Sequence, residues 1–243
     1  MRRAPGPDVD LSVYGKAVPL LLRNPAIVVV PLLMAVIGVL LQLTMASYGG
    51  GVMGSLTGQL ASFIVILLEL FGLGAACIIA DDAWRHGRAS FENGWAEARV
   101  RGGDILFAAL GFTLLLTVAQ YAGSLIGPLS LALTVVVVVF LIWTIPAAAI
   151  GGVPGGAAIQ VSIDRVRGAP LAAVIAAIVT VALLAVGVRF LSAYLGHWLF
   201  PLMGGSIIPE LLVSALLQGI AVGYVALILA KTYTDAAFAT RRW

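Results

Sequence analysis

Charge is scarce in this chain of 243 residues: Asp, Glu, Lys and Arg make up 10% of it, against 61% hydrophobic residues. A water-soluble domain carries roughly a quarter charged residues, so water is excluded as the solvent for most of this surface. The mean hydropathy of +1.09 says the same. Cysteine is nearly absent. Cys77 stands alone, which rules out an intrachain disulfide and a metal site built on clustered cysteines. His86 and His197 lack the neighbouring ligands of a metal motif.

Catalytic constellations are missing as well. No span holds paired carboxylates, and no serine sits in a nucleophile-elbow context. The glycines of SYGGGVMG and GGVPGG lack the Lys-Ser/Thr of a phosphate-binding loop and read as loops. Asp81-Asp82 suggests a metal–diphosphate site of the lipid-processing kind, but nothing around it completes a motif, so it reads as a solvated loop. The chain is expected to be non-enzymatic, and the sequence assigns no cofactor. The net charge of +3 is carried by basic residues too sparse for a nucleic-acid stripe; they stand beside apolar runs.

Long apolar runs are what the chain does have. About 20 apolar residues cross a hydrocarbon core of about 30 Å. Six runs meet that length, at roughly 25–47, 56–79, 104–126, 129–150, 171–195 and 210–230. The first is longer than a signal-peptide core and reads as a retained span. Gly127-Pro128 separates the third and fourth as a tight hairpin. The expected fold is therefore an all-α polytopic bundle forming one transmembrane domain.

Basic residues fall in every second loop. Arg2, Arg3, Lys16 and Arg23 precede the first run; Arg85, Arg88, Arg99 and Arg101 follow the second. Arg165 and Arg167 follow the fourth, and Lys231, Arg241 and Arg242 follow the sixth; Arg189 alone belongs to the other side. This pattern puts both termini in the cytoplasm of a cell with the bacterial inner-membrane arrangement.

Short amphipathic segments punctuate the basic side, at about 11–23, 90–101 and 157–167. In the middle one Ser90 is placed to cap a helix, with Phe91, Trp95 and Ala98 on one face. In the last, Ile159, Ile163 and Val166 form the apolar face. Arg99-Val100-Arg101-Gly102 and Arg165-Val166-Arg167-Gly168 end two of them alike, and Leu22-Arg23-Asn24-Pro25 ends the first. The pattern proposes three repeats of elbow helix, span, hairpin and span, against the plainer reading that any loop on this side looks so.

The Leu22-Arg23-Asn24-Pro25 entry, with GGAAIQVSIDRVRG at Gly155–Gly168 after PAAAIGG, resembles the membrane domain that accompanies some bacterial glycerophosphodiester phosphodiesterases. No stretch of these 243 residues reads as the soluble catalytic domain of that family, so the resemblance implies a fold and no catalytic residue.

Ionisable residues inside spans are the best pointers to function in a membrane protein. Glu69, in LLELFGLG, and Arg189, in GVRFLSAYLGHW, are the two. Together they form the candidate intramembrane polar site, either a structural pair or a transport site with Glu69 titrating; a third reading has Arg189 snorkelling outward or meeting Glu210. Gly219-Ile-Ala-Val-Gly223 reads as close packing within the bundle. Pro146 is expected to break or kink the fourth span. Trp84, Phe91 and Trp95 form a candidate interfacial belt for lipid or a partner. The expected function is that of an accessory or scaffold subunit of a larger membrane assembly, whose partners are lipids and other membrane-protein subunits; the alternative is a small-molecule or lipid transporter using Glu69 and Arg189.

Overall fold

The computed structural model describes residues 9–46, 52–124, 129–202 and 208–240. Among these there is no strand. Six segments are long and apolar enough to cross a membrane: 26–44, 57–86, 102–123, 132–149, 170–198 and 210–236. The molecule is an all-α polytopic bundle. The Gly127-Pro128 turn lies outside the described residues.

The chain runs as three units, each an elbow helix followed by two spans. The first comprises α1 (Ser12–Arg23), α2 (Ala26–Ala46) and α3 (Val52–His86). The second comprises α4 (Phe91–Val100), α5 (Gly102–Ser124), and a broken span of α6 (Leu129–Leu141) and α7 (Thr144–Ala149). The third opens with α8 (Gly155–Gly168). Its first span is α9 (Pro170–Val181), a π-helical turn at Ala182–Gly187 and α10 (Val188–Leu202); its second is α11 (Ile208–Thr240). Each elbow packs on the second span of another unit in cyclic order: α4 on α3, α8 on α6 and α7, and α1 on α11. The three second spans make the centre. Residues 72–80, 141–149 and 225–230 are buried on every side, at the end of the bundle that carries the elbows.

Two of the three elbow-to-span corners share a geometry. Asn24 (φ −129°, ψ 67°) and Ala169 (φ −143°, ψ 61°) each precede a proline, whose ring disfavours helical backbone at the preceding residue. Their amides still bond back, Asn24 to the Leu21 carbonyl at 3.1 Å and Ala169 to that of Arg165 at 2.9 Å. Arg101 (φ −88°, ψ 3°) turns the middle corner without proline, just before Gly102.

Three expectations are corrected. Helix α3 continues past residue 79 to His86, so Asp81 and Asp82 lie on a helix rather than in a loop. They sit one turn from Arg85 and His86 and bond to them at 2.7 Å each, pairs that support the last turn. Helix α11 likewise runs beyond 230, with Lys231 bonded to Asp235 at 2.7 Å. The fourth span breaks at Ile142–Trp143 rather than at Pro146 itself. Pro146 has no amide hydrogen to give the carbonyl four residues earlier, that of Ile142, and its ring crowds it. Within α7 the proline falls in the first turn, where it is tolerated.

Small residues let the spans approach closely. A Cβ at Gly219 meets Leu32 Cα at 2.9 Å, and one at Gly223 meets Val28 Cγ2 at 3.0 Å. This glycine pair therefore packs inside the bundle, against α2. A Cβ at Gly94 collides with Ile79, which explains how α4 lies flat on α3. Gly219→Val is expected to destabilise the fold by about 1–3 kcal/mol through overpacking against backbone, read as a lowered unfolding midpoint in detergent. Gly156→Ala, where an added Cβ meets nothing within 4 Å, serves as the unaffected comparison.

Candidate functional site

The two intramembrane charges are placed apart. Glu69 is partly buried in α3. Arg189 is exposed near the start of α10, which packs on α11. No ion pair joins them, and neither takes part in any of the ion pairs among the described residues. Glu210 does not meet Arg189 either; it lies against Gly196, where an added Cβ comes 2.7 Å from Glu210 Cγ. Arg189 is seven residues from Gly196, about 10 Å along the helix toward the middle of the bundle. Tyr194 and Trp198, edge to face at 6.5 Å and both exposed, form an aromatic pair farther out along the same helix.

Polar side chains are concentrated instead at the elbow end, where they close gaps in the backbone. The break in span four frees the Trp143 amide and the Phe140 carbonyl. Ser162 of α8 serves both: its hydroxyl oxygen accepts from the Trp143 N–H at 3.2 Å and donates to the Phe140 carbonyl at 2.8 Å. Trp143 is fully buried, and its indole N–H donates to Thr232 Oγ1 at 3.1 Å, tying the break to α11. In hydrocarbon an unsatisfied backbone group costs several kcal/mol, so the elbow supplies what the span lacks.

Charged residues repeat this pattern. Arg101 donates to the Ala149 carbonyl, at the end of α7, at 2.6 Å and pairs with Glu97 at 2.7 Å. Asp104 of α5 accepts from the Gly155 N–H at the start of α8, at 3.2 Å, a favourable place for a carboxylate. Arg165 lies 3.3 Å from the centre of the Tyr233 ring and donates to the Tyr233 carbonyl at 2.6 Å. The Tyr224 hydroxyl of α11 donates to the Tyr14 carbonyl of α1 at 2.9 Å, and burial pushes the Tyr14 hydroxyl up from its ordinary value. Hydrogen bonds from Ser12 hold the Asp10 carboxyl below its ordinary range.

The aromatic belt divides. Phe91 is exposed and stacks on Trp95, rings 6.5 Å apart and 5° from parallel, while Trp95 meets Phe71 edge-on at 6.2 Å. Trp84 turns its polar edge inward: its indole N–H donates to the Leu227 carbonyl at 2.9 Å, joining α3 to α11. The face of α8 is also shifted from expectation. Gly155, Ala158, Ser162 and Val166 are its buried positions, while Ile159 and Ile163, expected on the apolar face with Val166, are partly buried, because the seryl hydroxyl must reach the break. Ser162, Thr232 and Trp143 were missed; a proline at 146 pointing four residues back was the signal for them.

No family model, curated protein or solved structure matches the chain.

The interlock makes a direct prediction. Ser162→Ala keeps the size of the side chain's core but leaves a buried N–H and C=O without their hydroxyl, and is expected to destabilise by about 1–3 kcal/mol. Ser162→Cys, which retains a weak donor and acceptor, is expected to fall between it and the native protein in the same thermal unfolding measurement.

Proposed function

We propose that this protein is a non-enzymatic accessory or scaffold subunit of a larger membrane assembly, inserted in a bacterial cytoplasmic membrane with both termini on the cytoplasmic side. The observation that carries the proposal is Arg189. It is an exposed cation on a membrane-spanning segment, with no intrachain partner among the described residues. It lies on the span least covered by its own bundle: 22% of the fifth span's apolar window is buried, against 50% for the second, fourth and sixth. A cation held in that position is stabilised by an anion from outside the chain, and an acidic side chain on a neighbouring subunit's span supplies one. The π-helical turn at Ala182–Gly187, none of whose residues is buried, widens the same surface. The basic elbow end supports the cytoplasmic orientation.

The transporter reading draws on the broken fourth span and the π-turn, since discontinuous helices line many transport sites. The Ser162 clamp weighs against it, because the break is closed by hydrogen bonds and buried on all sides. The deciding experiment is affinity purification of the full chain from its native membrane in mild detergent. Arg189→Leu is expected to lose a stoichiometric membrane partner that Glu69→Gln retains. Recovery of a lone protein whose substrate uptake in vesicles is abolished by Glu69→Gln, with the fold intact, overturns the proposal.

A further inference from the structure

The basic residues of the elbow end are not used alike. Arg85 is paired with Asp81, Arg101 with Glu97, Arg167 with Asp164 at 3.7 Å, and Lys231 with Asp235. Arg165 is spent on Tyr233. Arg23 and Arg88 are both exposed and have no hydrogen bond or ion pair among the described residues. The chain nevertheless brings them together. The buried Asn24 donates from its side-chain nitrogen to the Gly87 carbonyl at 3.3 Å and accepts from the Ala89 N–H at 2.9 Å. It thereby grips the backbone on both sides of Arg88 while itself following Arg23. A third bond, to the Leu20 carbonyl at 3.0 Å, fixes the asparagine to its own helix.

We infer that this corner binds the phosphate of an anionic phospholipid headgroup, with Arg23 and Arg88 as its ligands. The corner stands at headgroup depth: the first span begins at Ala26 and the second ends at His86. Two guanidinium groups offer the paired N–H donors that fit phosphate oxygens. The Asn24 clamp fixes both backbones beforehand, so binding orders only side chains. Leu22, next to Arg23 and 79% exposed, is placed to meet the lipid's acyl region. Two of the nearby acids are already engaged. Asp81 is neutralised by Arg85, and Asp82 is engaged by His86 and by the Ser90 N–H at 3.4 Å. Glu92, in the first turn of α4, is exposed and forms no ion pair among the described residues.

The test is native mass spectrometry of the full chain, delipidated in detergent and titrated with phosphatidylglycerol, with phosphatidylcholine, or with inorganic phosphate. One phosphatidylglycerol is expected to be retained in preference to phosphatidylcholine, and Arg23→Gln with Arg88→Gln is expected to weaken it by about tenfold or more. Arg99→Gln, which removes an exposed arginine on α4 that forms no ion pair among the described residues, is expected to leave retention unchanged. Arg23→Lys with Arg88→Lys is expected to fold and to bind at an intermediate level, and it carries the test should the glutamine variant not survive purification. Equal retention of the two lipids, a glutamine variant that binds like the native chain, or, where that variant does not survive, a lysine variant that does so, overturns the inference. Displacement of the lipid by millimolar inorganic phosphate also overturns it, in favour of a site for the free anion.

Discussion

A backbone inside hydrocarbon has no water to turn to, and every N–H and C=O left by an irregularity must be met from within the protein. In this chain that constraint is concentrated at one place, the break at Ile142–Trp143 imposed by Pro146. Ser162 meets two of the freed groups, the Trp143 amide and the Phe140 carbonyl, with one hydroxyl. For that hydroxyl to be there, α8 must enter the end of the bundle instead of floating on its surface. Its entry is held in turn by Asp104 at one end and by Arg165 on Tyr233 at the other. The elbow helices are therefore structural parts of the bundle. The burial of Gly94 and Ala98 in α4, and of Val13 and Ala17 in α1, carries the same property through all three units.

The three-unit plan has a mechanical consequence. Because each elbow rests on a second span from another unit, the three hairpins are laced together at one end, where the central spans are buried on all sides. The first span of each unit shows much of its surface outward. Apolar surface of that kind belongs to lipid or to neighbouring subunits. Arg189 is the position on it whose electrostatics ask for something other than acyl chains.

Much of this was legible in the sequence because it depends on length and periodicity. The six apolar runs, the basic end, the Ser90 cap (accepting from the Asn93 N–H at 3.4 Å) and the in-bundle packing of Gly219 and Gly223 all follow from such patterns. What depends on partners distant in sequence was not legible. The two Arg-Val-Arg-Gly copies look equivalent, yet Val100 is 86% exposed and Val166 is 3% exposed. The helices carry the same letters on opposite faces, since one lies flat on α3 and the other is drawn inward by the break. The face of α8 was misread for the same reason: a serine counts as polar in any amphipathic pattern, and only the break makes it an interior residue. Glu69 and Arg189 were readable as unusual residue types, but their separation is a matter of which helices neighbour which.

The most direct measurement of the central claim, that the elbow end is locked around the broken span, is hydrogen–deuterium exchange of the full chain in lipid nanodiscs. The account predicts that peptides covering 141–149 and 155–168 exchange as slowly as those covering 72–80, because Ser162 holds the Trp143 amide and the Phe140 carbonyl while Thr232 holds the Trp143 indole. Rapid or two-population exchange confined to 141–168, with 72–80 still protected, would contradict it and make the break a moving part.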